Sequence, residues 1–107
     1  EKYNMSKCIE INSKNFDETV AEGITLVDFW APWCGPCRLM SPVMDQLAEN
    51  NKVVKVNTDE NQDLTIKLGI RSVPTFMIFK DGSLMETLVG ARSKQQFIDA
   101  IEKLKGE

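Results

Sequence analysis

The sequence predicts an α/β domain with helices on both faces of a mixed β-sheet. Two runs, Ile24–Trp30 and Thr75–Phe79, are apolar on both sides of an extended chain, as strands covered from two faces should be. Segments with helical periodicity alternate with the earlier strand-like runs. Near the end, Asp81-Gly82 is a two-residue hairpin signal that reverses the chain and makes the sheet mixed. At 107 residues the chain suits a single domain over 1–107, burying roughly two-thirds of the surface that the unfolded chain exposes.

Taken in order, Cys8-Ile9-Glu10-Ile11 alternates as a short strand, and Asn15 with Glu18 reads as a capping box for a helix carrying Phe16 and Val20, ended by Gly23. Ile24–Trp30 is a central strand interrupted only by Thr25 and Asp28. A helix from Cys34 follows, with Cys37, Met40, Met44 and Leu47 on one stripe, widened by Leu39 and Val43. Pro42 lies inside it and should kink it, having no amide hydrogen and crowding the Arg38 carbonyl. Lys52–Asn57 reads as a third strand, and a short helix from about Asn61 to Leu68 stops at Gly69. Thr75–Phe79 and Leu84–Val89 form the hairpin, and Ser93 with Gln96 opens a closing helix with Phe97, Ala100, Ile101 and Leu104 on its apolar face.

The composition narrows the function classes. A net charge of −3 from interspersed charges leaves no basic stripe for nucleic acid, and no apolar run approaches the roughly 18 residues of a membrane span. The stretch Glu1 to Lys14 lacks the apolar centre of a signal peptide, so a reducing, cytoplasmic compartment is expected. Met5-Ser6-Lys7 reads as a translational start, with the residues before it, and 1–6 generally, expected to be a poorly ordered extension. Three cysteines and no histidine exclude Ser-His and Cys-His nucleophile pairs and imidazole metal ligands. A four-ligand zinc site would have to recruit Cys8 and a carboxylate to join Cys34 and Cys37, so no metal is expected.

Chemistry concentrates in Trp33-Cys34-Gly35-Pro36-Cys37-Arg38, directly after the central strand. A helix beginning near Cys34 places one sulfur on the unpaired amides of its first turn and the other one turn further in. Cys34 is then the nucleophile, because the thiolate attacks disulfides and the helix N-terminus favours it. Gly35 and Pro36 keep the loop short and stiff, and Cys37 stands within reach to resolve the mixed disulfide. A structural disulfide and half of a metal knuckle are the alternatives at this stage.

Asp28, six residues before Cys34, is a carboxylate in an otherwise apolar strand, where burial should raise its pKa. That suits a proton acceptor for Cys37, with Lys55 as its partner if the two strands are neighbours. A structural ion pair without a catalytic part is the competing reading. Cys8 is expected to serve as a small buried hydrophobe, or as a redox-sensitive thiol if its strand is an edge.

With Val27-Asp28-Phe29-Trp30-Ala31 before Trp33-Cys34-Gly35-Pro36-Cys37, and Val73-Pro74-Thr75 and Gly90-Ala91 beyond, the chain resembles the thioredoxin family from about Lys7 to Leu104. Thioredoxin is itself the type example of this motif in this context. The CGPC tetrapeptide differs from the CPYC pair usual in glutaredoxins and from the His-containing pairs of disulfide isomerases and periplasmic oxidases. Lacking that His donor, the pair should favour reduction over oxidation. Pro32 and Arg38 depart from residues common in relatives, in ways the family tolerates.

The resemblance implies the thioredoxin fold, a five-stranded mixed sheet flanked by four helices, with a cis peptide at Val73-Pro74 facing the two sulfurs. It implies a docking surface of Trp33, Gly35, Pro36, Val73, Pro74, Gly90 and Ala91, where the backbone before Pro74 pairs with an extended substrate. The implied function is a cytoplasmic, monomeric dithiol reductant of protein disulfides, with no bound cofactor beyond its own Cys34-Cys37 disulfide. A separate thioredoxin reductase, flavin- or ferredoxin-linked, would recycle it. The alternative in a different class is a binding module that docks a client through the same surface independently of redox chemistry.

Overall fold

The computed structural model describes residues 7–106. The expectations about residues 1–6 lie outside them. Five strands and four helices follow in the order β1 (Ile9–Ile11), α1 (Phe16–Val20), β2 (Ile24–Trp30), α2 (Gly35–Leu47), β3 (Lys52–Asn57), α3 (Gln62–Lys67), β4 (Thr75–Lys80), β5 (Ser83–Val89) and α4 (Lys94–Lys105). The sheet runs β1-β3-β2-β4-β5, with β1, β3 and β2 parallel and β4 and β5 antiparallel to their neighbours. This is the mixed sheet that the sequence predicts.

Two cores sandwich the sheet. On one face Leu26, Val53, Phe76 and Ile78 meet Met40, Met44 and Leu47 of α2 and Phe97, Ile101 and Leu104 of α4. Phe76 and Phe97 stack edge to face with ring centroids 4.7 Å apart, which adds directional packing to the buried area. On the other face Val27, Phe29, Val54, Val56, Met77 and Phe79 meet Phe16 and Val20 of α1 and Leu64 of α3. β2 is the central strand, buried on both sides along its middle, and the cysteine loop follows directly from its carboxyl end.

Local signals act where their geometry is complete. Asp81 and Gly82 both take positive φ, 51° and 88°, as a tight hairpin with matched twist requires. The same turn is tied to the start of β2, since Asp81 Oδ1 accepts the Gly23 amide at 2.8 Å and the Gly82 amide donates to the Val20 carbonyl at 2.8 Å. Ser93 and Gln96 form a full capping box on α4.

Three expectations need correction. Asn15 caps no amide of α1 with its side chain, because its Oδ1 instead accepts the Asn12 amide at 2.8 Å and no capping box with Glu18 forms. Gly23 does not end that helix, which stops at Val20; its φ of 73° serves the turn into β2. Leu39 is 72% exposed, since it lies roughly 120° round the helix from the centre of the buried stripe at 100° per residue.

Candidate active site

Cys34 is the N-cap of α2, with extended backbone at φ −91° and ψ 111°. Gly35 and Pro36 occupy the first helical positions, where the missing amide of proline forfeits no intrahelical bond. The helix that begins there is 13 residues long. Its first-turn amide on Cys37 donates to Cys34 Sγ at 3.1 Å, so the sulfur takes the place that a serine oxygen holds in an ordinary cap. Cys34 and Cys37 are joined as a disulfide with Cα atoms 5.3 Å apart. Both are nearly inaccessible, at 3% and 5%. Accessibility therefore does not distinguish them, whereas the cap position does.

Ala31 and the two cysteines form a small cluster against which Trp30 and Val73 pack. The Val73-Pro74 peptide is cis, and the Pro74 carbonyl accepts the Gly90 amide at 2.9 Å, which brings Gly90 and Ala91 beside the proline. Trp33 is 69% exposed, yet its indole is anchored because Nε1 donates to Asp59 Oδ2 at 3.1 Å. Pro36 and Ala91 are exposed, Gly35, Val73 and Gly90 half-buried, and Pro74 buried. Trp33 and Val73 also line a depression of about 140 Å³ with Thr58, Thr65, Ile70, Arg71 and Ser72.

Behind the disulfide lies Asp28, 4% exposed, with one carboxyl oxygen that no described residue hydrogen-bonds. Burial pushes its pKa up from 3.8 to about 7, and the charge of Lys55 opposes that rise. Lys55 stands directly opposite Asp28 in the β2–β3 register. Its ammonium lies over the Trp30 ring, 5.6 Å from the centroid, and makes no ion pair with Asp28. Lys55 therefore acts on Asp28 through its field, without direct contact. A pocket of about 100 Å³ lined by Asp28, Trp30, Cys37, Arg38, Ser41 and Lys55 connects the carboxyl to the inner cysteine.

Cys8 is half-buried against the core shared by α2 and α4. Burial, reinforced by the charge of Asp28, pushes its thiol up to about 12, so it stays protonated at neutral pH. No group of three or more Cys, Asp or Glu among the described residues is placed to hold a metal ion. The two departures from the family pattern touch each other: Arg38 Nη1 donates to the Pro32 carbonyl at 2.9 Å and braces the loop before Trp33.

Comparison with known proteins agrees with this geometry. The family model described as Thioredoxin matches residues 7–103. The chain belongs to the thioredoxin family. It is 48% identical over 105 residues to Thioredoxin 1 of Synechococcus elongatus, covering 92% of this chain and 98% of that protein. It is 46% identical over 101 residues to thioredoxin of Pseudomonas aeruginosa, covering 86% and 94%. Among solved structures, a mutant thioredoxin from Halobacterium salinarum superposes with a TM-score of 0.89 at 34% identity, covering 96% and 95% of the two chains. Thioredoxin f from spinach chloroplast gives 0.88 at 31% identity, covering 98% and 99%. As a member of the thioredoxin family the chain is a dithiol–disulfide oxidoreductase, reducing protein disulfides through Cys34 and Cys37 by way of a mixed disulfide. No helix among the described residues is long and apolar enough to cross a membrane.

Sequence reasoning did not find Asp59, Ile70, Arg71 or Ser41. For Asp59 the usable signal is position: it follows the carboxyl end of β3, at the sheet edge where the cysteine loop follows the carboxyl end of parallel β2. Ser41 was legible in principle, four residues after Cys37 on the same helix, whereas Ile70 and Arg71 come near the cysteine loop only through packing.

Proposed function

We propose that Cys34 is the attacking sulfur and Cys37 the resolving one, with Asp28 as the proton acceptor for Cys37. The observation that carries this order is the asymmetry of the pair. Cys34 Sγ receives the helix-terminal amide, which stabilises a thiolate, whereas Cys37 opens on the pocket that holds Asp28. Reduced Cys34 attacks a substrate S–S bond, one substrate thiolate leaves, and a mixed disulfide forms. Cys37 then loses its proton toward Asp28 and its sulfur attacks Cys34 Sγ, releasing the second substrate thiolate and closing the Cys34–Cys37 disulfide. Two electrons pass to the substrate. Lys55 keeps the Asp28 carboxyl titrating near neutrality by opposing the effect of burial.

Trp33, Gly35, Pro36, Val73, Pro74, Gly90 and Ala91 form the docking surface in this reading, with Val73 supplying backbone hydrogen bonds to an extended substrate segment. The protein works as a cytoplasmic monomer of one domain, and a separate thioredoxin reductase returns its disulfide to the dithiol. Its redox group is the disulfide itself, so no cofactor is assigned to the chain. Insulin reduction in dithiothreitol, followed by turbidity, tests the activity: precipitation should run well ahead of dithiothreitol alone, and an equal rate would sink the assignment.

A further inference from the structure

Three residues lining the pocket between Asp28 and Cys37 have no part in the reaction above, Trp30, Arg38 and Ser41, and of these Ser41 alone can both donate and accept a hydrogen bond. It follows Cys37 by four residues on α2, so the two side chains rise from the same side of the helix. A helical serine either returns its hydroxyl to the carbonyl one turn back or turns it to water. Ser41 is exposed, and no hydrogen bond joins its hydroxyl to another described residue, which leaves it to water. Two further polar atoms in the lining residues are buried and unpartnered among the described residues, Asp28 Oδ1 and Trp30 Nε1. One is an acceptor and the other a donor, and the volume exceeds several-fold the roughly 10–15 Å³ that one water needs. The pocket therefore has room for water between its polar lining and the exposed Ser41 hydroxyl.

We infer that Ser41 is a positioning residue of the resolving step, holding through water in this pocket the Asp28 carboxylate that accepts the Cys37 proton. The inference rests on the attack order proposed above. Among the lining residues other than Asp28, the guanidinium of Arg38, the ammonium of Lys55 and the indole of Trp30 are donors only, and the Cys37 thiol is the proton source. Ser41 alone both donates and accepts strongly, so it can keep a bridging water oriented whichever form Asp28 takes. The charged and titratable groups facing Asp28 are Lys55 from β3, Cys37 and Arg38 from α2, and Cys8 ahead of β1, while β4 presents Phe76. In the step itself the Cys37 S–H bond breaks and its proton passes through the water to Asp28. The Cys34–Cys37 S–S bond forms with the electron pair of Cys37, and the Cys34–substrate S–S bond breaks toward the departing thiolate. Asp28 afterwards returns the proton to solvent.

A hydroxyl that donates toward the carboxylate favours its ionised form. Ser41→Ala should move the Asp28 titration upward and leave less base at neutral pH, whereas Ser41→Thr should restore both. The assay mixes the fully reduced protein with 5,5′-dithiobis(2-nitrobenzoate), whose first thionitrobenzoate release reports attack by the nucleophile and whose second reports resolution. Ser41→Ala should slow the second release about three- to tenfold at pH 7, leave the first unchanged, and shift the acid limb of the second to higher pH. In an Asp28→Asn background the same substitution should have no further effect. Equal second-phase rates for Ser41→Ala and the parent across pH 6–9 would overturn the inference, as would Ser41→Thr as slow as Ser41→Ala, or an undiminished Ser41→Ala effect in the Asp28→Asn background. A parent protein that releases no second thionitrobenzoate would instead refute the attack order on which the inference stands.

Discussion

Replacing Asp28 with Asn removes a carboxylate that the fold holds at an energetic cost, and the size of that cost follows from its titration. Below about pH 4 the folded and unfolded chains both keep the proton, and Asp28 is a neutral buried group. As pH rises past 3.8 the unfolded chain releases the proton while the folded chain keeps it until about 7, so this group lowers stability across that window and the loss is complete above it. At about 1.36 kcal/mol per tenfold difference in proton affinity, the rise to about 7 corresponds to about 4 kcal/mol. Asparagine keeps the shape and carries no titrating charge. Relative to the parent, Asp28→Asn should gain about 3 to 4 kcal/mol between pH 4 and pH 9, measured by guanidinium denaturation of both oxidised proteins. At about 4 °C per kcal/mol for a chain of this size, the melting temperature at pH 9 should rise by more than about 10 °C. A gap that changes by less than about 1 kcal/mol over that range would show Asp28 titrating near its ordinary value, and its assignment as a neutral-pH proton acceptor would fall with it.

Four further outcomes follow from the same geometry. Cys37→Ser should trap a mixed disulfide with substrate proteins, visible on non-reducing gels, whereas Cys34→Ser should trap none and lose insulin reduction; the reverse pattern would exchange the two roles. Removing the cation in Lys55→Met should move the Asp28 titration, followed by NMR of the side-chain carboxyl, further above 7, and a downward or absent shift would contradict the field effect. Cys8, pushed up to about 12, should resist iodoacetamide at pH 8 in the native oxidised protein and react readily once unfolded, while rapid native labelling would revive a redox role for it. Ser93→Ala should cost about 1 kcal/mol through loss of the α4 capping box, whereas a comparable loss is not expected from Glu18→Ala, because α1 has no such box.

Several parts of this architecture were legible residue by residue. The two-faced apolar runs located β2 and β4, Asp81-Gly82 located the hairpin, and Ser93-x-x-Gln96 the start of α4, because each depends on neighbours in sequence. The same type of signal misled at Asn15 and Glu18. There Asn12 competes for the Asn15 side chain, and a helix of five residues offers few amides to cap. Leu39 misled for a related reason: an apolar residue near the edge of a helical stripe stays exposed when no neighbouring element covers its angle.

The sequence by itself marked the cysteine pair and its place at a helix start, because spacing and the glycine-proline bridge are local facts. It also marked Asp28 as costly, since any strand apolar on both faces buries what it carries. Only the tertiary structure decided what those groups meet. The β2–β3 register sets Lys55 opposite Asp28, the Pro74–Gly90 hydrogen bond draws the β5 end to the site, and Asp59 reaches Trp33 across 26 residues of sequence. The physical reason is that composition and periodicity fix which faces are buried, whereas burial has no direction. Hydrogen bonds, register and the field of a neighbouring charge have direction, and they arise when distant segments are packed against one another.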